Sequence, residues 1–151
     1  MSKSTTLQVS ALKNGAVIDH LPSDKVFKIL ELLNITEKNT ITAGINLKSK
    51  TMGTKGIIKI SDKYLNEREL NKIAILAPYA TLNIIKEYQV IEKKKIELKG
   101  IEENVIKCNN AHCITNHEHI ATKFNFSREQ PLQIQCKYCE RTIKEHEISV
   151  M

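Results

Sequence analysis

The stretch that decides the fold is residues 57–85, IIKISDKYLNERELNKIAILAPYATLNII. It reads as strand, helix, strand. Ile58 and Ile60 face one way and Lys59 the other, the period-two pattern of a strand with one buried face. Asn66 is placed to cap a helix, and Glu69 three residues on completes a capping box. Leu65 and Leu70 supply a hydrophobic staple. Leu70, Ile73, Ala74 and Ala77 form the buried stripe, and Pro78 ends the helix.

Working outward, TLQVSALKNG (6–15) and AVIDHL (16–21) are short strand-like runs around the turn pair Asn14-Gly15. PSDKVFKILELLN (22–34) opens with helix-start residues and sets Val26, Ile29, Leu30 and Leu33 at helical spacing. TITAGINL (40–47) alternates Ile41, Ala43, Ile45 and Leu47 on one face of a strand, and KTMGTKG (50–56) reads as a loop. TLNIIKEYQVIEKKKIEL (81–98) is one long strand or two short ones. The order is β-α-β-β-α-β, the ferredoxin-like split βαβ arrangement with two helices on one face of a sheet. LKGIEEN (98–104) reads as a linker, giving domains at 1–99 and 100–151. Beyond it VIKC, TKFNF, LQIQC and ISV are strand-like with no helical stripe. The expected fold class is α+β, a ferredoxin-like domain followed by a small antiparallel β unit. A unit of about 50 residues has a marginal core, for which a metal is the usual staple.

The chain has 151 residues, 41% hydrophobic and 26% charged, which fits globular structure. No apolar run approaches the ~18–20 residues that span a bilayer, and MSKSTTLQVS lacks the apolar core of a secretory signal. A cytoplasmic location is expected, where thiols stay reduced and four cysteines serve a metal better than disulfides. The net charge is +6. Residues 1–100 hold 17 Lys and Arg against 10 Asp and Glu, while residues 101–151 hold 6 against 7. The basic first unit therefore favours an anionic partner. Seven aromatic residues and no Trp are few for stacking on nucleic acid, which favours a polyphosphate ligand.

Cys108 and Cys113 form a C-x4-C pair, and Cys136 and Cys139 a C-x2-C pair. Two close pairs on two loops suit one tetrahedral Zn²⁺, and four protein ligands leave no position for substrate. The expected ion is structural, with no catalytic residues. His112, His117 and His119 share the first stretch but have mostly polar neighbours and read as surface side chains.

Asp19 and His20 sit side by side at a strand end, suiting either a ligand pocket or a solvated turn. Lys93, Lys94 and Lys95 alternate across a strand, so Lys94 faces one way and the other two the opposite way. Lys59 is a lone cation in an apolar strand, and GTKGIIK lacks P-loop spacing. The reading from another class is a zinc-ribbon protein using its basic surface on RNA or DNA, against which the acidic second unit argues.

LQVSALKNGAVIDHLP (7–22), MGTKGIIKI (52–60), APYATLNIIKEYQVIEKK (77–94) and CKYCE (136–140), in this order, together with the cysteine pattern, resemble the regulatory subunit of aspartate carbamoyltransferase from end to end. The resemblance implies a noncatalytic chain with an allosteric domain for CTP and ATP, and UTP beside CTP in some members. It implies a zinc domain docked on catalytic chains, and a second regulatory chain paired through the allosteric domains in a dodecamer of six catalytic and six regulatory chains. By position it matches Asp19 and Lys59 to a ribose-contacting pair, His20, Asn83 and Lys93 to the phosphate end, and Lys55 to a second nucleotide. Ala11, Leu12, Tyr88 and Val90 fall where the family reads the base. Asn109 and the pair His119-Ile120 depart from the prolines common in relatives, on the surface that meets the catalytic chain, and Ser10 occupies a variable position.

Overall fold

A computed structural model of the chain describes residues 12–127, 129 and 131–151. The first run, TLQVS, and Ala11 lie outside the described residues. Strand β1 (Gly15–Leu21) leads through a short 3-10 turn (Ser23–Lys25) into helix α1 (Val26–Leu32). Strands β2 (Ile41–Ser49) and β3 (Gly53–Ser61) form a hairpin, helix α2 (Glu67–Leu76) follows, and β4 (Thr81–Lys86) and β5 (Gln89–Lys95) form a second hairpin. The sheet order is β2-β3-β1-β4-β5 with antiparallel neighbours. Each βαβ crossover skips one strand, which is the split βαβ topology, extended by the edge strand β5.

Helix α2 carries the features read from its sequence. Asn66 Oδ1 accepts the Glu69 N–H at 2.8 Å, and the Glu69 carboxylate accepts the Asn66 N–H at 3.2 Å. Glu69 is buried, and Lys63 pairs with it at 3.2 Å while the Asn34 N–H reaches it at 3.4 Å. One carboxylate thus satisfies the start of α2 and the chain leaving α1. Both helices cover one sheet face, where Val26, Ile29, Leu70 and Ile73 pack with Ile18, Leu21, Ile58, Ile60 and Leu82. Burying each such side chain contributes about 1.5–3 kcal/mol.

Three local expectations differ from what forms. Gly53 already belongs to β3, so the loop expected over 50–56 is shorter. The alternation of β2 stops at Asn46, whose φ of 57° lies at a register shift between Gly44 and Leu47. Ile45 and Leu47, and Ala43 ahead of the shift, are exposed where a buried face was expected, and Ile41 is half-buried. The run 81–98 divides into two strands at Glu87 and Tyr88, both with positive φ, as a tight hairpin turn requires. Asn14 Oδ1 accepts the Glu87 N–H at 3.2 Å and Lys13 O accepts that of Tyr88 at 3.0 Å, which holds the turn against the start of β1.

The second unit has β6 (Ile106–Lys107) paired with β10 (Ser149–Val150), and a sheet of β7 (Phe124–Phe126), β8 (Gln133–Cys136) and β9 (Thr142–Lys144). β9 was not among the strand-like runs of the sequence. The apolar core runs without interruption from the first sheet through Ile96, Val105 and Ile106 to Phe124, Leu132, Ile134 and Ile143. Arg68 in α2 pairs with Glu102 across the same junction at 2.6 Å. Among the described residues no helix is long and apolar enough to cross a membrane.

Candidate functional site

The four cysteines converge. Cys108 Sγ lies 3.7 Å from Cys139 Sγ, and Cys113 Sγ lies 3.8 Å from Cys136 Sγ, so each short contact joins one knuckle to the other. All four sulfurs lie within 4.8 Å of one another. A disulfide needs ~2.05 Å, so these are not disulfides. A tetrahedral ion with metal–sulfur bonds of ~2.3 Å has sulfur–sulfur edges of about 3.8 Å. The residues fit such an ion, and the described residues hold no other cluster of this kind.

Local structure aims each sulfur. Cys136 ends β8 and its backbone carbonyl accepts the Glu140 N–H at 3.0 Å, while Glu140 turns the chain with a φ of 64°. In the first knuckle Cys113 N–H donates to Asn110 O at 3.0 Å, and the Asn116 carboxamide donates to Cys108 O at 3.0 Å and Asn110 O at 2.8 Å. Burial pushes the Cys108 thiol up to about 12 and raises that of Cys136. Burial also acts upward on Cys139, but hydrogen bonds from the Asn110 side chain and the Arg141 backbone, with the neighbouring thiols, bring it down to about 6. Without a cation such a cluster resists holding four thiolates together. His112, His117 and His119 are exposed, and His117 Nε2 is 2.7 Å from Ala111 O.

A second arrangement lies on the sheet face away from the helices. Register places Thr42, Lys59, Val17, Asn83 and Lys93 in one row across all five strands. Asp19, Thr81 and Lys95 form the adjacent row. Neighbours in a strand normally point to opposite faces, yet Asp19 and His20 share this one. β1 bulges between Ile18 and Leu21, and His20 takes a φ of 59°. His20 Nδ1 thereby reaches the Thr81 hydroxyl at 3.0 Å.

Asp19 pairs with Lys55 at 2.9 Å rather than with Lys59. Burial acts to raise the Asp19 carboxyl, but the Lys55 ammonium and the His20 N–H outweigh it and hold it below its ordinary value. Among the described residues no acidic side chain pairs with Lys59 or Lys93. Asn83 Oδ1 is buried and has no hydrogen-bond partner among them. Such an acceptor costs about 1–3 kcal/mol unless a donor meets it. Tyr88 and Val90 are exposed at the hairpin end, where Tyr88 meets Lys13, the residue after Leu12. Thr81 went unnoticed in the sequence, although counting back two from Asn83 finds it, and Lys95 was placed on the face of Lys93 without being assigned to the site. Lys94 faces opposite to Lys93 and Lys95 as expected, and its pairing with Leu82 puts it on the helix side.

Fold and sites together define a two-unit chain: a cation-lined sheet face joined through a continuous core to a β unit whose four cysteines fit one metal ion and would leave it no open position for chemistry. Residues 7–97 match the family model of the aspartate carbamoyltransferase regulatory chain, allosteric domain, and residues 101–149 match that of its metal binding domain. The chain is 50% identical over 140 residues to the aspartate carbamoyltransferase regulatory chain of Thermococcus sibiricus, covering 93% of each. It is 46% identical to that of Pyrococcus abyssi, over 94% of this chain and 95% of the relative, and 46% identical to that of Bacteroides thetaiotaomicron, over 96% and 95%. The chain belongs to the aspartate carbamoyltransferase regulatory chain family, and it is a regulatory, noncatalytic subunit.

Proposed function

We propose that a nucleoside triphosphate, CTP or ATP, lies on the open sheet face and that its binding is passed to aspartate carbamoyltransferase catalytic chains through the metal-stapled unit. The observation that carries this reading is the row of Lys59, Asn83 and Lys93 with its unpaired amide oxygen. A triphosphate needs several cations. Lys93 and His20 serve the phosphates, Asp19 and Lys59 the ribose, and Asn83 lies between. Ala11, Leu12, Tyr88 and Val90 frame the base, and Lys55 faces a second nucleotide such as UTP. The division falls near Gly100, with residues 1–99 receiving the effector and 100–151 docking on the catalytic chain. A second regulatory chain pairs through the first unit, in an assembly of six catalytic and six regulatory chains in the cytoplasm.

The ion is Zn²⁺, held by Cys108, Cys113, Cys136 and Cys139, and it supplies folding free energy and rigidity rather than reactivity. The route between the sites is short. β5 carries Lys93 and Lys95, and the next residue, Ile96, donates its N–H to Ala80 O at 2.9 Å and enters the shared core. A cleft of about 1080 Å³ lined by His20, Thr81, Lys95, Leu98, Phe126 and Leu132 among others lies beside this joint. A ligand that binds two quaternary states unequally shifts their balance, typically by ~1–3 kcal/mol.

The test is calorimetric titration of CTP and then ATP into the metal-loaded chain, with inorganic triphosphate as control anion. Competitive binding of one nucleotide per chain, weakened about tenfold or more in Lys59→Met by loss of a charge-assisted contact of roughly 1.5–3 kcal/mol, supports the reading. Triphosphate binding as tightly as CTP, or an unaffected Lys59→Met, refutes it. Salt-sensitive binding to nucleic acid in its place would point to the zinc-ribbon alternative.

A further inference from the structure

The metal site has a contact that its four sulfurs do not explain. Thr115 Oγ1 lies 3.2 Å from Cys113 Sγ. A metal-bound thiolate carries no proton, so in the loaded site the hydroxyl is the donor. We propose that Thr115 is a positioning residue of the metal site, its hydroxyl hydrogen-bonding to the Cys113 sulfur and slowing loss of the ion. The inference rests on the reading that the four cysteines hold a metal.

The division of labour around the first knuckle isolates this role. Thr115 sits in the 3-10 turn Ile114–Asn116 directly after Cys113. The backbone of the knuckle is held by its neighbour, through the Asn116 carboxamide bonds to Cys108 O and Asn110 O and the Asn116 N–H to Cys113 O at 2.9 Å. The Thr115 hydroxyl is not needed for that and meets a sulfur instead. A charge-assisted hydrogen bond draws electron density from the thiolate, which makes it less open to attack by an electrophile. Cys113 is buried, but Thr115 and Cys108 line a cavity of about 790 Å³ that brings solvent to this side of the site. Thr115, half-buried, thus lies between the Cys113 sulfur and this cavity's lining. Partners of this outer kind typically change metal affinity about 10–100-fold when removed.

The experiment uses the full chain with Thr115→Val, which keeps shape and loses the hydroxyl, Thr115→Ser, which keeps the hydroxyl, and Asn116→Ala, which loosens only the backbone. One readout is the rate of zinc transfer to a chromogenic chelator. The other is the near-ultraviolet sulfur-to-metal charge-transfer band of the cobalt(II)-loaded protein, which reports electron density at sulfur. Thr115→Val is expected to release zinc about tenfold faster or more and to move the cobalt band to longer wavelength. Thr115→Ser should match the parent in both, and Asn116→Ala should speed release without moving the band. Should Thr115→Val fail to fold, Thr115→Ala is read in its place. A hydroxyl-free variant that matches the parent in both readouts, or a Ser variant as impaired as Val, overturns the proposal. A parent chain that takes up no ion overturns the metal reading itself, a separate result visible before any variant is made.

Discussion

Replacing Gly56 with alanine should damage the sheet that carries the cations, by an amount the structure allows one to work out. Gly56 lies in β3 between Lys55 and Ile57, on the side covered by α1. An alanine Cβ there would stand 2.3 Å from Val26 Cγ2, 3.3 Å from Gly44 O and 3.6 Å from Leu21 Cβ. Carbon pairs settle at about 3.5–4.0 Å, so roughly 1 Å of room or more must be found. Val26 is fully buried, and a valine in a helix strongly prefers one rotamer, so its methyl does not swing aside cheaply. The helix or the strand must give way, at about 1–3 kcal/mol. For a unit near 100 residues each kcal/mol lowers Tm by ~4–8 °C, so a fall of roughly 5–20 °C is expected. Val26→Ala alone removes two buried methyl groups and costs about 1.5–3 kcal/mol. Combined, the new Cβ occupies the space those methyls leave, and the double variant should be more stable than the sum of the losses predicts by on the order of 1–2 kcal/mol. Thermal unfolding of the metal-loaded parent, both single variants and the double variant, followed by far-ultraviolet circular dichroism, measures this directly. Losses that add within about 0.5 kcal/mol, or a Gly56→Ala protein as stable as the parent, would refute the reasoning.

The Asp19 carboxyl should titrate below its ordinary value, and Lys55→Met should bring it up, both measurable by carbon-detected NMR. Because the folded state depresses this group, its contribution to stability is present above the unfolded value and is lost as pH falls through the folded one. A carboxyl unmoved by Lys55→Met would show that the pair does not act as drawn. Removing the metal with a strong chelator should unfold β6 to β10 while α1, α2 and the first sheet persist, read as loss of amide protection after residue 105 only. Retained protection there would mean that the core alone suffices.

Helix α2 was legible because its signals are local: the capping box, the staple and Pro78 all lie within the segment they govern. The cysteine cluster was legible for the same reason, since two short spacings already bring the thiols into pairs. What escaped depends on strands meeting. Asn46 and His20 sit at bulges that no period-two reading contains, so Ile45 and Leu47 were assigned to a buried face and the sharing of one face by Asp19 and His20 was not foreseen. Glu87-Tyr88 forms a tight turn without glycine or asparagine because Lys13 and Asn14 hold it from another strand. The Asp19–Lys55 pair spans 36 positions and follows only from the β1–β3 pairing. The short β9 is one line of a three-stranded sheet, recognisable once β8 is beside it.

The row from Thr42 to Lys93 runs from one edge of the sheet to the other, taking a single residue from each strand. A binding loop can be cut out and grafted elsewhere, but a chord of this kind belongs to no contiguous segment. Its spacing is the spacing of the strands, and its curvature is their twist. Drift in one strand's register would displace one member of the row while leaving the other four in place. Such a surface can change its ligand preference through single substitutions, whereas its geometry can be inherited only with the whole sheet.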